Sequence, residues 1–412
     1  MKPSHHLAHG FPIHEHCLQV GGMPLPLLAE RVGQTPFYAY ERRLIAQRVR
    51  ELRTALPRTV HLHYSLKANP MPALAHYLAG LVDGCDVASA GELQVALDAG
   101  WPAAAISFAG PGKSDAELAR AIAAGVILTL ESQAEAERAA RIGASLQTPA
   151  RVMLRINPAF EMKGSGMRMG GGAKPFGVDA EQAPQVLRRI GELGLDFHGL
   201  HIFSGSQCLN SAAIIQAQAL TFQLALELAQ HAPGPLRMLN IGGGFGIPYF
   251  PGDLPLDLGA VGAALKEEAE RFLGQAPGTE IVLELGRYLV GEAGVYVTRV
   301  VDRKISRGQV FLVTDGGMHH HLSASGNLGQ VIRKNYPVIV GNKAQTQADA
   351  QDIEVASVVG PLCTPLDVLA DRLPLARAEP GDLIVVFQSG AYGLSASPVG
   401  FLSRALPVEV LV

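Results

Sequence analysis

The chain has 412 residues, of which 48 % are hydrophobic and 17 % charged, so it can form a sizeable core and carries too little charge for a disordered protein. Its 34 Lys and Arg residues and 37 Asp and Glu residues give a formal net charge of −3, which argues against nucleic-acid binding through a broad basic face. The 46 glycines and 27 prolines follow no period, which excludes a collagen-like chain.

The N-terminal region shows neither a membrane span nor a secretion signal. No apolar run reaches the roughly 20 residues that a bilayer span needs, and Met1–Phe11 lacks the apolar core of a signal peptide. Five histidines stand among the first sixteen residues: His5, His6, His9, His14 and His16. No cysteine or carboxylate cluster accompanies them to complete a metal site, so a loosely docked arm is favoured over a metal-binding tail. The cysteines form no CxxC pair, so we expect reduced thiols and a cytoplasmic protein: Cys17, Cys85, Cys208 and Cys363.

From Val60 to Val290 a short apolar strand, a polar or Gly-rich turn and an Ala/Leu-rich helical stretch alternate repeatedly. Eight such strands predict a closed (β/α)8 barrel, with an open doubly wound sheet as the alternative. The predicted strands are His61–Leu66, Val82–Ala88, Ala105–Ala109, Val126–Leu130, Val152–Ile156, Phe197–Phe203, Met238–Ile241 and Ile281–Leu285.

After Val290 the pattern becomes β-rich, which predicts a C-terminal all-β domain. Its predicted strands are Gly294–Lys304, Gln309–Asp315, Pro337–Val340, Asp352–Val359 and Asp382–Gln388. The segment His14–Val20 also has strand character. We therefore expect an N-terminal segment, residues 1–36, that packs with the β domain, a barrel at 37–290 and the β domain at 291–412.

Unusual polar and glycine residues stand where the predicted barrel strands end: Lys67, Asp86, Asn157, Phe203, Gly242–Gly244 and Glu284. In a (β/α)8 barrel those ends meet at one mouth, which carries the active site. Lys67 at the end of an apolar strand suits Schiff-base chemistry. The glycines after the seventh strand let backbone N–H groups approach a phosphate. Together they indicate pyridoxal 5′-phosphate (PLP) as cofactor.

The eighth strand adds Glu284 and Arg287. A carboxylate at Glu284 can face the pyridine nitrogen of PLP and keep it protonated, which favours decarboxylation. Arg287 can make a bidentate contact to the phosphate. A local salt bridge between these two residues at the barrel rim is the structural alternative.

With these motifs the chain resembles the fold-type III PLP-dependent decarboxylases, the family of diaminopimelate, ornithine and arginine decarboxylases. The similarity runs from Thr35 to Phe401. It is carried by Tyr64–Asn69, Asp86–Leu93, Gly205–Gln207, Gly242–Gly246, Glu284–Arg287, Asp315–Met318, Gly360–Cys363 and Ser389–Tyr392. The resemblance implies an alanine racemase-like (β/α)8 barrel with a C-terminal β domain, and a homodimer with active sites at its interface.

The same resemblance assigns roles to individual residues. Lys67 would form the Schiff base, Glu284 would pair with the pyridine nitrogen, and Asp86, with Glu92 as a weaker match, would lie near the cofactor. The phosphate would be held by Ser206, Gly243, Gly244, Arg287 and Tyr392. The partner subunit's Cys363 would reprotonate the carbanion after CO2 leaves, a role that suits a thiol near neutral pH.

The chain departs from the family pattern in three places. Phe203 stands where the family usually has a histidine over the cofactor ring; it can stack on the ring but cannot ionise. His201, two residues earlier, is a tentative substrate residue whose side chain is expected to point elsewhere. Three successive histidines, His319 to His321, follow the Asp315–Met318 motif. We expect one of them, with His319 as the candidate, to line the pocket or the dimer interface, and we predict no metal.

The departure with most consequence is Thr364, which follows Cys363. In the diaminopimelate and ornithine enzymes this residue is acidic and receives the substrate's distal ammonium. A neutral hydroxyl leaves a buried ammonium uncompensated, which disfavours basic substrates unless Asp315 or Asp367 compensates. Asp315, Thr364 and Arg333 complete the tentative substrate residues.

These departures resemble a sub-branch that includes decarboxylases of carrier-protein-linked amino acids and of exosortase-associated systems. We therefore expect a decarboxylase of a carrier-linked or non-basic amino acid, with a possible acyl carrier protein as partner. The alternative is meso-diaminopimelate decarboxylation to L-lysine. Two further alternatives are a racemase, which Glu284 disfavours because racemases of this fold place Arg at the pyridine nitrogen, and an inactive regulatory homologue.

Overall fold

A computed structural model describes residues 5, 10–162, 164, 166–168, 170–330, 333–344 and 352–412. His6 and His9 of the histidine-rich start lie outside the described residues. The chain forms two compact units. The barrel unit comprises Arg48–Ile247 and Pro255–Tyr288, and the β unit comprises Met1–Gln47, Pro248–Leu254 and Leu289–Val412.

The barrel unit contains eight parallel strands, which confirms the predicted (β/α)8 barrel and excludes the open sheet. In chain order the barrel strands are Val60–Ser65, Gly84–Val87, Ile106–Phe108, Ile127–Leu130, Arg151–Asn157, Asp196–Ile202, Met238–Gly243 and Glu280–Leu285. The barrel closes because the eighth strand pairs with the first, with Leu285 opposite Tyr64. The strands are almost continuously buried, as expected for a parallel sheet covered on both faces.

Helices alternate with the strands around the barrel. They are Pro72–Ala79, Ala90–Asp98, Asp115–Ala124, Gln133–Leu146, Ala183–Glu192, Ser211–Ala229 and Leu258–Gln275, and the helix Arg42–Ala55 precedes the first strand. Several begin at a side chain that caps the helix; Ser114 and Glu117 form a reciprocal capping box. Within the described chain, Ser211–Ala229 alone is long and apolar enough to cross a membrane by length and composition. In the barrel it packs against Leu258–Gln275, with Phe222 on Phe272.

Shorter elements complete the barrel unit. They are the 3-10 turns Leu66–Ala68 and Ala103–Ala105, the two-residue strands Met167–Arg168, Val178–Asp179 and Gly205–Ser206, and the short helix Arg287–Val290, which leads out of the eighth strand. The turn Leu66–Ala68 follows the first strand directly, so its residues stand at the carboxyl end of the barrel.

The β unit is built on the long strand Gly294–Ser306, whose first half pairs with Phe37–Tyr40 and Leu383–Val386 and whose second half pairs with Gln309–Thr314. Its other main-sheet strands are Val338–Val340, Ile353–Val359, Val368–Ala376 and Val408–Leu411. A separate small sheet contains Ile13–His14, Cys17–Val20 and Met23–Pro24, followed by the helix Leu25–Val32. The remaining short helical turns are Gly291–Ala293, Gly341–Lys343, Leu394–Ala396 and Phe401–Ser403.

The N-terminal segment shares a hydrophobic core with the β strands. Phe11, Leu18 and Val20 are buried in one cluster with Val295 and Val385. From Gly10 onward the segment is therefore ordered, and the expectation of a loosely docked arm is wrong for this part, because its apolar side chains enter the core.

Candidate active site

Lys67 stands at the mouth of the barrel, in the 3-10 turn that follows the first strand. Its Nζ lies 3.7 Å from Oε1 of Glu284, at the end of the eighth strand. The ammonium is also 5.6 Å from the centre of the Phe203 ring, beyond the end of the sixth strand. The Lys67 side chain keeps 46 % of its surface exposed, so the amine remains accessible from the mouth while a carboxylate lies beside it.

Glu284 is buried, and its carboxylate is contacted by three polar side chains. Ser65 Oγ donates to Oε1 over 2.9 Å, Asn240 Nδ2 donates to Oε2 over 3.5 Å, and His201 Nε2 lies 3.4 Å from Oε2. Burial by itself raises the pKa of Glu284, but the Lys67 ammonium and the hydrogen bonds from His201 and Ser65 outweigh it and hold the pKa well below its usual range. The barrel therefore presents a fixed negative charge at this point of the mouth.

Asp86, at the second strand, is joined to the same network. Ser107 Oγ donates to its Oδ1, and Asn240 Nδ2 lies 3.5 Å from that same oxygen, so one amide bridges Asp86 and Glu284. His63 Nδ1 lies 3.5 Å from Oδ2 of Asp86. Burial alone would lower the pKa of His63, but the Asp86 carboxylate more than offsets this and raises it.

Glu92 holds a different position from Asp86. Its carboxylate accepts a 2.7 Å hydrogen bond from the backbone N–H of Ala88, at the start of the helix Ala90–Asp98. Burial raises the pKa of Glu92, and the charge of Lys67 opposes that rise. The Glu92 carboxylate thus caps the start of that helix.

The glycines after the seventh strand bring backbone close to neighbouring backbone. A Cβ on Gly243 would lie 2.0 Å from the carbonyl oxygen of Glu284, and a Cβ on Gly244 would lie 2.2 Å from that of Gly205. Gly244 also has a φ of +79°, which favours glycine. The loop thus packs directly beside Gly205-Ser206 and leaves backbone free of side-chain bulk, as a phosphate site requires.

Arg287 begins the short helix after the eighth strand, next to Gly286. A Cβ on Gly286 would lie 2.8 Å from Cβ of Ala68, so the Arg287 turn packs against the turn that carries Lys67. With Lys67, buried Glu284, Gly243, Gly244 and Ser206 in the same unit, the residues present fit a cofactor that has a carbonyl, a basic ring nitrogen and a phosphate.

Phe203 closes one side of the mouth. Its ring lies edge-on to His201 at 6.4 Å between ring centres, and a Cβ on Gly242 would come within 2.7 Å of it. His201 was expected to point elsewhere, but its side chain contacts Glu284, because alternate residues of the sixth strand face the barrel interior.

The remaining candidate residues belong to the β unit, where Asp315 is engaged in the turn it begins. Its oxygens accept hydrogen bonds from the hydroxyls of Thr35 and Thr298 and from the backbone N–H of Arg299. The carboxylate therefore braces the start of the Asp315–Met318 motif.

The three histidines lie in a turn and not on an extended strand. His319 is fully buried, His320 Nε2 contacts the carbonyl of Ala405 at 3.0 Å, and His321 Nε2 contacts Ser389 Oγ at 2.8 Å. Burial lowers the pKa of His319, and it lowers the pKa of His320 to about 4 and that of His321 to about 3. All three are neutral at pH 7, and the described residues contain no cluster of three or more ligands that could hold a metal.

Cys363 is exposed, in a loop that ends at buried Asp367. The next residue, Thr364, uses its hydroxyl to accept the N–H of Leu366 over 3.3 Å. Asp367 Oδ1 accepts the N–H of Met318 over 2.6 Å and Oδ2 accepts that of Leu362 over 2.8 Å.

Two further predicted residues make hydrogen bonds in which a backbone carbonyl is the acceptor. Arg333 donates from Nη2 to the carbonyl of Val368, and the carbonyl of Tyr392 accepts a 2.8 Å hydrogen bond from Ser323. Tyr392 has a φ of +52°.

Sequence reasoning missed three residues of the barrel network: Ser65, Asn240 and His63. Each lies on a strand that was predicted, and His63 and Ser65 alternate with Tyr64 as inward-facing residues do. That alternation, polar on one face of a buried strand, is the signal that could have identified them.

Comparisons with known proteins identify the family of this chain. A family model described as "Pyridoxal-dependent decarboxylase, pyridoxal binding domain" matches residues 42–291. The chain is 37 % identical over 381 residues to the L-glutamyl-[BtrI acyl-carrier protein] decarboxylase of Niallia circulans, covering 92 % of this chain and 89 % of that protein. It is 33 % identical over 394 residues to the diaminopimelate decarboxylase of Deinococcus radiodurans, covering 93 % and 91 %. The crystal structure of diaminopimelate decarboxylase from Helicobacter pylori complexed with L-lysine superposes with a TM-score of 0.82 at 28 % identity, covering 94 % of each chain.

Proposed function

This chain belongs to the pyridoxal-dependent decarboxylase family and is a PLP-dependent carboxy-lyase, and on that premise we propose that its substrate is a carrier-linked or otherwise non-basic amino acid. Its relatives of similar length include both a carrier-protein-linked glutamyl decarboxylase and diaminopimelate decarboxylases. The family therefore leaves two classes of substrate to choose between.

The observation that carries the choice is that the candidate partners for a distal ammonium already hold other hydrogen bonds. Thr364 is neutral, and its hydroxyl accepts a backbone hydrogen bond. Asp367, which could compensate, already accepts two backbone N–H groups, and the oxygens of Asp315 accept three donors of their own. None of the three offers an uncommitted carboxylate for a distal ammonium, and burying that charge unpaired is costly.

We further propose the roles of the barrel residues. Lys67 binds the cofactor covalently, and Glu284 holds a proton on the ring nitrogen, because the buried carboxylate stays ionised. Ser206, Gly243, Gly244 and Arg287 hold the phosphate. When bound, PLP supplies the electron sink that stabilises the negative charge left on Cα as CO2 departs.

In the proposed enzyme two copies of the chain form a homodimer, and the partner subunit contributes to each active site. The partner subunit's Cys363 donates the proton to Cα, and Tyr392 adds a contact to the phosphate. In this scheme Phe203 packs against the ring without ionising, so proton transfer falls to Cys363.

Measuring CO2 release from two candidate substrates tests the proposed substrate class. We expect the holoenzyme to release CO2 from a carrier-bound glutamyl thioester and to turn over meso-diaminopimelate poorly. Turnover of meso-diaminopimelate at least as fast as of the thioester would show that Thr364 does not select against basic substrates, and would favour the diaminopimelate alternative. Replacing Lys67 by Ala is expected to abolish both cofactor absorbance and CO2 release, and retention of both would overturn the assignment of Lys67.

A further inference from the structure

We propose that Asp367 is a positioning residue for Cys363, because its buried carboxylate ties the loop Gly360–Cys363 to the turn Gly316–Met318. This inference rests on the proposed function of Cys363 as the proton donor. Asp367 itself exposes only 2 % of its surface, so it acts through the backbone it holds and not by touching substrate.

The contacts form a clamp with one oxygen on each segment. Oδ1 accepts the N–H of Met318 over 2.6 Å, and Oδ2 accepts the N–H of Leu362, the residue before Cys363, over 2.8 Å. Hydrogen bonds to a charged acceptor are about twice as strong as neutral ones. The loop position next to Cys363 is therefore fixed by a charged group at its back.

Two glycines make room for this carboxylate. A Cβ on Gly317 would lie 2.2 Å from Asp367 Oδ1, and a Cβ on Gly360 would lie 2.3 Å from Oδ2. Any side chain at either position would displace the carboxylate. The glycines of both segments thus have a specific packing task at Asp367.

The loop also closes on the backbone of Asp367. The N–H of Gly360 donates to the Asp367 carbonyl over 3.0 Å, and the N–H of Asp367 donates to the carbonyl of Thr364 over 3.3 Å. Cys363 therefore sits in a short loop whose start and end are both bonded to one residue. This arrangement leaves the thiol exposed while its backbone is held.

Asp367→Asn tests the clamp with little change in volume. An Asn side chain offers one carbonyl oxygen, so it accepts from one N–H and turns its NH2 group towards the other donor. Asp371→Asn is the matched control, because Asp371 is on the strand that follows and has an exposed side chain, which accepts a hydrogen bond from Ser357 Oγ at 3.2 Å and pairs with Arg372 at 3.7 Å. Gly360→Ala is a second variant that displaces the carboxylate without changing its charge.

Three quantities are measured on the dimeric holoenzyme: CO2 release, cofactor absorbance, and the rate of Cys363 alkylation by iodoacetamide as a function of pH. Alkylation of the other cysteines is measured in Cys363→Ala and subtracted. We expect Asp367→Asn and Gly360→Ala to lower kcat on the order of 10²-fold, as for a reacting group displaced by about 1 Å. KM and cofactor absorbance should stay at wild-type values, and the alkylation profile of Cys363 should change. Asp371→Asn should match the wild type in all three.

The outcomes distinguish a wrong role for Cys363 from a wrong role for Asp367. If Cys363→Ala keeps wild-type turnover, the proposed role of Cys363 is wrong whatever Asp367 does. If Cys363→Ala loses turnover but Asp367→Asn and Gly360→Ala keep both turnover and the wild-type alkylation profile, only the inference on Asp367 is wrong. Loss of turnover together with cofactor absorbance, at an unchanged alkylation profile, would assign Asp367 a purely structural task and overturn the proposal.

Discussion

Replacing Gly244 by alanine tests whether the loop after the seventh strand holds the cofactor phosphate. The added Cβ would lie 2.2 Å from the carbonyl oxygen of Gly205, whereas ordinary contacts begin at 3.4 Å. The two backbone segments must therefore separate by about 1 Å. Ser206, which follows Gly205, would move with it, and a shift of this size at a positioning group costs on the order of 10²-fold.

The positive φ of Gly244 adds a strain in the alanine variant that has nothing to do with the phosphate, and a control variant with the same strain accounts for it. Gly278, also in the barrel unit, has a φ of +83° and nothing within 4 Å of an added Cβ. Gly278→Ala thus carries the same left-handed strain, of about 1–2 kcal/mol, without the close approach.

The assay is titration of each apoprotein with PLP, followed by the absorbance of the bound cofactor. We expect the dissociation constant to rise about 10- to 100-fold in Gly244→Ala and to stay near the wild-type value in Gly278→Ala, with kcat largely recovered at saturating PLP. Equal affinity in the two variants would refute the reasoning, since it would mean that the approach of Gly244 to Gly205-Ser206 does not shape the phosphate site.

Three further predictions follow from contacts in the two units. Thr364→Asp should raise kcat/KM for meso-diaminopimelate at least tenfold relative to the thioester, on the order expected when a buried ammonium gains a charged partner, and an unchanged ratio in CO2-release assays would count against the Thr364 argument. The pKa of His63 is raised in the fold, so its pair with Asp86 stabilises the protein fully below about pH 6.5 and less as pH rises through the raised value. His63→Gln should therefore lower Tm by about 2–4 °C at pH 6 and by less at pH 9, and a Tm difference that grows with pH would contradict this. Gly262→Ala, whose Cβ would lie 2.1 Å from the Ala55 carbonyl, should lower the free energy of unfolding by about 1–3 kcal/mol in denaturant titrations while PLP affinity stays unchanged.

The barrel could be predicted from sequence because each strand has a recognisable local pattern of residues. Strands such as Val152–Ile156 are short apolar runs between helical stretches, and the closed order follows from their number. Convergence of Lys67, Asp86 and Glu284 then follows from the same rule, because the carboxyl ends of parallel strands meet. The predicted place of these residues at one mouth therefore needed no knowledge of side-chain contacts.

The strands of the β unit that were missed lack such a local signal. Val368–Ala376 contains Pro374 and a residue with positive φ, Arg372, and it lies at the sheet edge, where both are tolerated. Phe37–Tyr40 and Val408–Leu411 are defined by pairing with each other across almost the whole chain. Such long-range pairing leaves no pattern in either segment alone.

The electrostatic state of the polar residues was also beyond the sequence. The spacing of the histidine triplet says nothing of its charge, whereas burial lowers the pKa of His320 and His321 and keeps both neutral in the β unit. His201 and Asn240 became recognisable as partners of Glu284 only when the sixth, seventh and eighth strands were placed side by side. Spacing along the chain cannot supply such contacts between strands.

The pairing of Phe37–Tyr40 with Val408–Leu411 has a consequence for synthesis on the ribosome. Phe37–Tyr40 leaves the exit tunnel early, yet one of its two neighbouring strands is translated only about 370 residues later. At about 5–20 residues per second, this fully buried and largely aromatic strand waits on the order of tens of seconds with an unpaired edge. The barrel strands are translated during that interval, so the β unit keeps an open strand edge, a site for aggregation or chaperone capture, until the last residues of the chain are made.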